Sequence, residues 1–427
     1  MALLLPACST ATPGATNQPT EQQTVVYWSE FNKGEPLQIA LEQVIKDFEA
    51  ENPDIKIDVN WAGRDVLTKI QAAVQGGTPV DITDHSNDRL AAALLENDLA
   101  VDLNKYLDEP AYGADSGKWR DDFTPGSIEA MSSKGSGYLI PRESYVSGLW
   151  YNGGMLKEAG LQVKATGMTW DEFMNILNTL KAAKPDVSPL GADGSIDFYN
   201  NWWFSYLAIR LAGVEAFQKA AADPTGEGWR APEFLKAAEM VRQLTDGGYF
   251  QKGYEGSVFP AMQAQWAQGK VAMFLNGAWI PNEMAPQLSE DFELGVFAFP
   301  NLEGGKGNDV VEYWANAWAV MNTGKSTDAA VKFLKFASSP TEGGKTIADA
   351  GYPLALKDIA TPPAFAGQVE ILKAYSPIEQ RAGLQGQTAY SADVYNFCDD
   401  PFFLGKSSPS EFIDCLATKG KEFWAKH

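Results

Sequence analysis

From Thr24 onward the apolar positions change period every few residues, and each change marks a predicted element. Thr24 to Trp28 is a short run rich in β-branched and aromatic residues. Leu37, Leu41, Val44 and Phe48 then recur at helical spacing until Asn52-Pro53, where the proline pushes the residue before it out of helical geometry. Ile55, Ile57, Val59 and Trp61 alternate as a strand, Val66, Ile70 and Ala73 form a second helical face ending at Gly76-Gly77, and Val80 to Thr83 reads as a third strand. A β-α-β-α-β order predicts an α/β fold with a parallel sheet and helices on its faces. Such sheets bind ligands beyond the carboxyl ends of their strands, which points to the loops starting at Trp28, Trp61 and Thr83.

Those loops are rich in polar and aromatic side chains. Trp28-Ser29-Glu30-Phe31-Asn32-Lys33 follows the first strand and Asp84-His85-Ser86-Asn87-Asp88 the third. Ser, Asn and Asp also cap helices and build turns, so Asn32 and Asn87 fit either role. Trp28, Glu30, Asp84 and His85 are taken with them as candidate ligand contacts. Farther on, Gly135 to Leu161 reads as two β-like runs around a polar turn, and a helix starts at Met155. Thr169-Trp170-Asp171-Glu172 is a capping box, since the threonine hydroxyl accepts the amide three residues on while the glutamate reaches back. Trp170, Phe173, Leu177 and Leu180 then form an apolar helical stripe, which places Trp170 in the core.

The 427 residues exceed one ordinary core and fit two large lobes. With 55 acidic against 34 basic residues the net charge is -21, which repels nucleic-acid phosphates and anionic headgroups. The only histidines are His85 and His427, so a histidine-rich metal site or a His-based triad has almost no material, and neither metal nor cofactor is expected. No 18-residue apolar run follows the N-terminal segment, so no transmembrane helix is expected. Thirteen Trp, fifteen Tyr and twenty-two Phe are the strongest compositional signal, because several of them sit among Asn, Asp and Gly in stretches that do not read as buried elements. A flat ring in a polar loop suits a carbohydrate: it covers the apolar C–H face of a pyranose while carboxylates and amides bind the hydroxyls.

Cys8 closes Leu5-Pro6-Ala7-Cys8. A leucine three residues before a cysteine, with small residues beside the cut, is the form of a lipoprotein acylation site, although the seven residues before it fall short of a full secretory leader. Ser9 to Thr24 is rich in Thr, Ala, Pro, Gly, Asn and Gln with Glu21 as its only charge. It is expected to be a flexible tether reaching roughly 20–24 Å. Cys398 and Cys415 remain, and an even remainder in an exported protein suggests a disulfide near the C-terminus.

Four segments, in order, resemble one family. Leu67-Thr-Lys-Ile-Gln-Ala-Ala-Val-Gln-Gly-Gly-Thr-Pro-Val-Asp-Ile is similar to its early helix ending in Gly-Thr-Pro-x-Asp. Tyr138-Leu-Ile-Pro, Leu149-Trp-Tyr-Asn and Thr169-Trp-Asp-Glu-Phe resemble the passage between lobes. Gly269-Lys-Val-Ala-Met-Phe-Leu-Asn-Gly-Ala-Trp279 matches Gly-Lys-x-Ala-Met…Gly-x-Trp, the most specific of the four. Ala329-Ala-Val-Lys-Phe-Leu-Lys-Phe and Gly351-Tyr-Pro-Leu match a late helix and turn. From about Thr24 the chain resembles the extracellular solute-binding proteins of carbohydrate ABC importers. The resemblance implies two α/β lobes of the type II periplasmic-binding-protein fold, with ligand held in the cleft between them and released by hinge opening. It implies a tether and truncated signal over 1–23, one lobe from 24–138 plus 297–330, and the other from 139–296 plus 331–427. Crossings are expected near Gly137–Pro141, Leu294–Phe299 and Lys325–Val331. The implied partners are an oligosaccharide, importer permease subunits and the membrane through a lipid on Cys8. A monomer on the outer face of a Gram-positive cell is expected.

Carried onto this sequence, the resemblance makes Trp202 the stacking member of Asn200-Asn201-Trp202-Trp203, with Asn200 beside it and the other tryptophan packed inside. Trp279 matches the family's aromatic stacker, with Asn276 just ahead, and Gly277 fits a point where backbone must approach a ligand closely. Trp314, Asn316 and Trp318 alternate on one face, Trp314 and Asn316 toward the cleft and Trp318 toward the core. Arg142 and Glu143 either pair with each other or bind hydroxyls. Gln387 and Tyr390 resemble the last cleft-lining segment. Two other readings remain open: the same fold holding a polyamine or other small solute, and a secreted glycoside hydrolase. The hydrolase would need about eight β-α repeats where about three are visible.

Overall fold

The computed structural model describes residues 22–133, 136–195 and 197–427, so Cys8 and most of the tether lie outside the described residues. The opening β-rich run forms β1 (Gln23–Ser29), which lies between β2 (Ile55–Trp61) and β3 (Ile82–Ser86) and parallel to both. The crossover helix α1 (Pro36–Glu51) starts on a proline and buries Leu37, Leu41, Val44 and Phe48. It ends where Asn52 turns its Nδ2 back to the Phe48 carbonyl, 2.9 Å away. α2 (Val66–Gln75) buries Val66 and Ile70 and stops at Gly76.

The other strands of this sheet, apart from a separate short pairing of Ser132–Ser133 with Ser136–Gly137, are β4 (Leu139–Asn152), β5 (Ser188–Gly191), β6 (Val271–Gly277), β7 (Leu294–Phe297), β8 (Val310–Val320) and β9 (Ser376–Ile378). They continue one nine-stranded sheet in the order β2-β1-β3-β8-β4-β6-β5, with β9 added beside β8 and β7 beside β4. β4 and β8 are the two strands shared by both lobes. The far half of β8 pairs antiparallel with β3, Asn316 opposite Ser86 through Val320 opposite Ile82. Its near half pairs with β4 from Tyr313 opposite Val146 to Ala315 opposite Ser144. Register shifts between Ala315 and Ala317, a bulge that bends the strand where the lobes meet.

β4 corrects the reading of two short runs around a turn. It is a single 14-residue strand, buried from Leu139 to Trp150, and Arg142-Glu143 lies inside it. Both residues are charged, and they are tolerated in the strand because other buried charges face them.

The cores also move the expected lobe boundaries. Phe333 and Phe336 on helix α5 (Thr327–Ala337) pack on Phe48, ring centroids 5.3 and 5.5 Å away, so α5 belongs with β1 and α1. Phe297 and Phe299 pack instead against Phe173 and Trp170 at the start of helix α3 (Trp170–Ala183). Residues 297–315 therefore sit with the second lobe and 316–356 with the first. The crossings expected at 294–299 and 325–331 fall at the β8 bulge and between Leu356 and Phe365. A strand shared by two lobes shows no break in its apolar pattern, which is why periodicity misplaces this border.

Helix α4 (Asp197–Ala212) and helix α6 (Pro409–Trp424) complete the second lobe, α6 starting on a Ser408–Glu411 capping box. Cys398 and Cys415 are joined, Cα atoms 5.8 Å apart. No helix among the described residues is long and apolar enough to cross a membrane.

Candidate functional site

Where β1, β3, β4 and the β8 bulge converge, four charged side chains are buried together. Arg142 donates from Nε to Glu143 Oε2 at 2.8 Å and from an Nη atom to Asp84 Oδ2, and its other Nη lies 3.5 Å from Glu30 Oε1. Asp84 also accepts from the Tyr27 hydroxyl at 2.9 Å, the Ser29 hydroxyl at 3.2 Å and the Glu30 amide at 2.8 Å. Trp318 Nε1 donates in turn to the Tyr27 hydroxyl at 3.1 Å. The guanidinium packs over the rings of Phe31 and Trp318, 5.1 Å from each centroid. Burial alone would weaken its proton, but Glu143 and Asp84 hold Arg142 firmly charged.

One guanidinium cannot balance three carboxylates in so dry a place. Burial, reinforced by the charge of Asp84, pushes the Glu30 carboxyl up to about 8, and burial also raises Glu143. At neutral pH Glu30 carries its proton. Burial and the charge of Arg89 push His85 down to about 4, so its imidazole is neutral. The Ser86 amide donates to His85 Nδ1 at 2.8 Å, which leaves the ring proton on Nε2. Among the described residues, buried Nε2 of His85 and Oε1 of Glu30 have no hydrogen-bond partner.

Both side chains line a cavity of 600 Å³ between the lobes, within the range of small-molecule sites. Its apolar wall is Trp279, Trp314 and Tyr145; the centroids of Trp279 and Trp314 are 5.2 Å apart and Tyr145 lies 5.9 Å from Trp314. Arg64, Arg89, Asn316 and Arg381 add polar groups. A second compartment of 270 Å³ shares Asp88, Trp314, Gln380 and Gln385 with the first and adds Asn87 and Gln387. The turn bordering both is strained: Arg381 and Ala382 have φ of 50° and 52°, and Gly383 follows at 90°.

Residues 34–344 match the family described as bacterial extracellular solute-binding protein. The chain belongs to that family. It is 25% identical over 361 residues, 84% of its length, to the multiple sugar-binding protein of Streptococcus mutans, of which it covers 80%. Its fold is similar to that of apo RafE from Streptococcus pneumoniae, at TM-score 0.75 and 21% identity over 95% of this chain and 99% of that one. A Bacillus licheniformis sugar transporter protein in complex with stachyose gives TM-score 0.70 at 21% identity, covering 94% and 99%. The solute-binding fold has two lobes around a ligand cleft, the place occupied here by the paired compartments.

Of the residues singled out in the sequence, Glu30, His85, Trp279, Trp314 and Asn316 line the larger compartment, and Asn87, Gln387 and Trp314 the smaller. Arg142, Glu143 and Asp84 lie behind that wall as an ion-pair cluster. Others lie elsewhere. Trp202 is 1% exposed, stacked behind Tyr199 and Trp279, with Nε1 donating to Glu312 Oε2 at 2.7 Å. Both tryptophans of the Asn-Asn-Trp-Trp run are buried because α4 begins at Asp197, before the run. Asn200 donates to the Gly194 carbonyl, and Asn276 accepts from the Gly277 amide at 2.7 Å. Tyr390 packs on Phe423 and accepts from Trp229 Nε1, in the core under α6. Asn32 is exposed and bound to Glu35, and Trp28 is half-buried in β1.

Arg64, Tyr145, Gln380 and Arg381 were not foreseen. Arg64 lies in the loop after Trp61, already expected to border a site. Tyr145 shares a face with Glu143 in β4, a pairing visible only once the segment is known to be one strand. The 380–383 turn carries Gly383 as its only local signal.

Proposed function

We propose that this solute-binding protein captures an oligosaccharide in the paired compartments and delivers it to the permease of an ABC importer. One observation carries the reading: a wall of Trp279, Trp314 and Tyr145 faces buried polar atoms of Glu30 and His85 that lack hydrogen-bond partners among the described residues, all in one 600 Å³ cavity. Ring faces cover the apolar side of a pyranose, while a neutral carboxyl and a neutral imidazole donate to its hydroxyl and ring oxygens. The multiple sugar-binding name of the Streptococcus mutans relative supports the same ligand class. The bulged strand β8 and the strand β4 supply the hinge, since a few dihedrals at Ala315–Ala317 and beside Arg142 reorient one lobe on the other.

The receptor carries out no chemistry in this reading. It is held outside the cell membrane by a lipid on Cys8, in a Gram-positive host where no outer membrane would retain it, and it acts as a monomer. A polyamine fits less well, because Arg64, Arg89 and Arg381 border the larger compartment. A thermal-shift screen across oligosaccharides tests the ligand class: ligand at 100 times its Kd stabilises by about 2.7 kcal/mol. A flat response to every saccharide would overturn it. Fatty-acid labelling of the cell-borne protein, lost in Cys8→Ser, tests the anchor.

A further inference from the structure

The larger compartment is rich in donors. Arg64, Arg89 and Arg381 border it from three separate segments of the chain, in a protein whose net charge is -21. Arg64 is committed, bonding the Glu30 carbonyl at 2.5 Å and Glu35 Oε2 at 2.8 Å. Arg381 is buried, donates to the Asn396 amide oxygen at 3.1 Å and lies over the Tyr395 ring. Arg89 is exposed to the cavity and has no ion-pair partner among the described residues. It stands near enough to His85 that its charge helps keep that ring neutral, and His85 Nε2–H is a further donor on the lining of the same compartment.

The acidic groups are placed unevenly. Asp88 borders both compartments, Glu30 lies at the base of the larger, and Glu96 and Glu379 border only the smaller. Glu30 holds its proton to about 8 through burial, so it adds no negative charge at neutral pH. The larger compartment thus combines guanidinium donors with an aromatic wall, and the smaller carries carboxylates and amides.

Resting on the oligosaccharide reading above, we propose that the preferred ligand is an acidic oligosaccharide, with a hexuronate ring stacked on Trp279 and Trp314 and its carboxylate set against Arg89 and His85 Nε2–H. A carboxylate is acceptor-only and suits the Arg89 guanidinium and the His85 Nε2–H better than a hydroxymethyl group does, while the Asp88 carboxylate in the same lining is left to a hydroxyl of the ring. The remaining, uncharged part of the chain runs into the smaller compartment, where Asn87, Gln380 and Gln387 offer amides to hydroxyls. The overall negative field opposes such a ligand at a distance, but charges farther than about 8 Å are screened at physiological ionic strength, and the contacts in the cleft decide.

The test is calorimetric titration with an aldotriouronic acid, one glucuronate on two neutral xylose units, and with its methyl ester, identical in length and linkage, on the wild type and on Arg89→Gln. The expected result is tighter binding of the acid by about tenfold or more, the value of one charge-assisted hydrogen bond. The preference should shrink as sodium chloride rises from 0.05 to ~0.5 M and collapse toward unity in Arg89→Gln, whose melting temperature confirms that it is folded. Equal affinity for acid and ester, or a preference that survives Arg89→Gln, would overturn the proposal and leave the saccharide receptor standing. Binding of neither form, nor of any neutral saccharide, would overturn the receptor reading itself.

Discussion

The indole of Trp279 lies directly over the backbone of Gly277: a Cβ built on Gly277 would stand 2.2 Å from a ring carbon of that indole. A glycine before the tryptophan looks like room for a ligand. The room is taken by the tryptophan, which the glycine seats against Tyr199 and Trp202 at centroid distances of 6.3 Å each. In the proposed site, Gly277 would act on the ligand through Trp279.

Gly277→Ala should therefore displace the ring while β6 remains paired. Saccharide affinity is expected to fall by about tenfold, the loss of one aromatic stacking contact. Trp279→Ala should produce a similar loss, and the double variant little more than either alone. Titration of the three variants checks this; additive losses would mean that Gly277 acts by another route.

Arg142 is the one cation in a cluster with three carboxylates. Arg142→Met should destabilise the protein by about 3–5 kcal/mol, because Asp84 and Glu143 are left buried without their counter-charge. Adding Asp84→Asn should recover part of that loss. Denaturant unfolding of the single and double variants measures it, and a mild effect of Arg142→Met alone would contradict the packing described.

Glu30 gives the stability a defined dependence on pH. Its carboxyl titrates at about 8 in the folded protein, against a model-compound value near 4.5. Between those values the folded state binds more protons than the unfolded state, so this contribution is complete below about 4.5 and declines as pH rises toward 8. His85, pushed down to about 4, acts in the opposite sense: its contribution is present above 6.5 and is lost as pH falls toward 4. Glu30→Gln mimics the protonated carboxyl and removes only the first term. Its melting temperature relative to wild type should rise between pH 5 and pH 8.5, by on the order of 1 °C or more. A difference independent of pH would show that Glu30 is ionised throughout.

The disulfide joins the short helix Phe397–Phe403 to α6 and closes a loop across a sequence separation of 17. Replacing both cysteines with serine should cost about 3 kcal/mol, most of it in the unfolded chain's regained freedom. The loss should appear in thermal unfolding and should leave saccharide affinity within about twofold, since neither sulfur borders the cleft.

How far the sequence reveals this molecule depends on the kind of residue concerned. The opening β-α-β-α-β unit is legible because Ile55–Trp61 is buried on one face and Leu37 to Phe48 on another, so local period and tertiary burial agree. Glu30 and His85 stand out in the sequence because they lie at the carboxyl ends of β1 and β3, where polar side chains have no local structural role, whereas Trp314 lies within β8 just before its bulge. Arg142 and Glu143 do form the mutual ion pair, one of the two readings open for them, but the other charges around them come from β1 and β3, more than fifty residues away, and are not visible locally. Trp202 misleads because two adjacent tryptophans on a helix can both be buried when a second aromatic layer, here Tyr199 and Trp279, covers the one nearer the cleft. Tyr390 resembles a cleft residue only in sequence order; its hydroxyl is taken by Trp229.

The most direct measurement is titration of intrinsic tryptophan fluorescence with a panel of defined oligosaccharides, followed by chromatography of the recovered ligand. Trp279 and Trp314 stand in the cleft wall, so a saturable change at one-to-one stoichiometry, absent for polyamines and weakened in Trp279→Ala, with the saccharide recovered intact, is the expected result. No response to any saccharide alongside a response to a polyamine, or recovery of cleaved sugar, would contradict it.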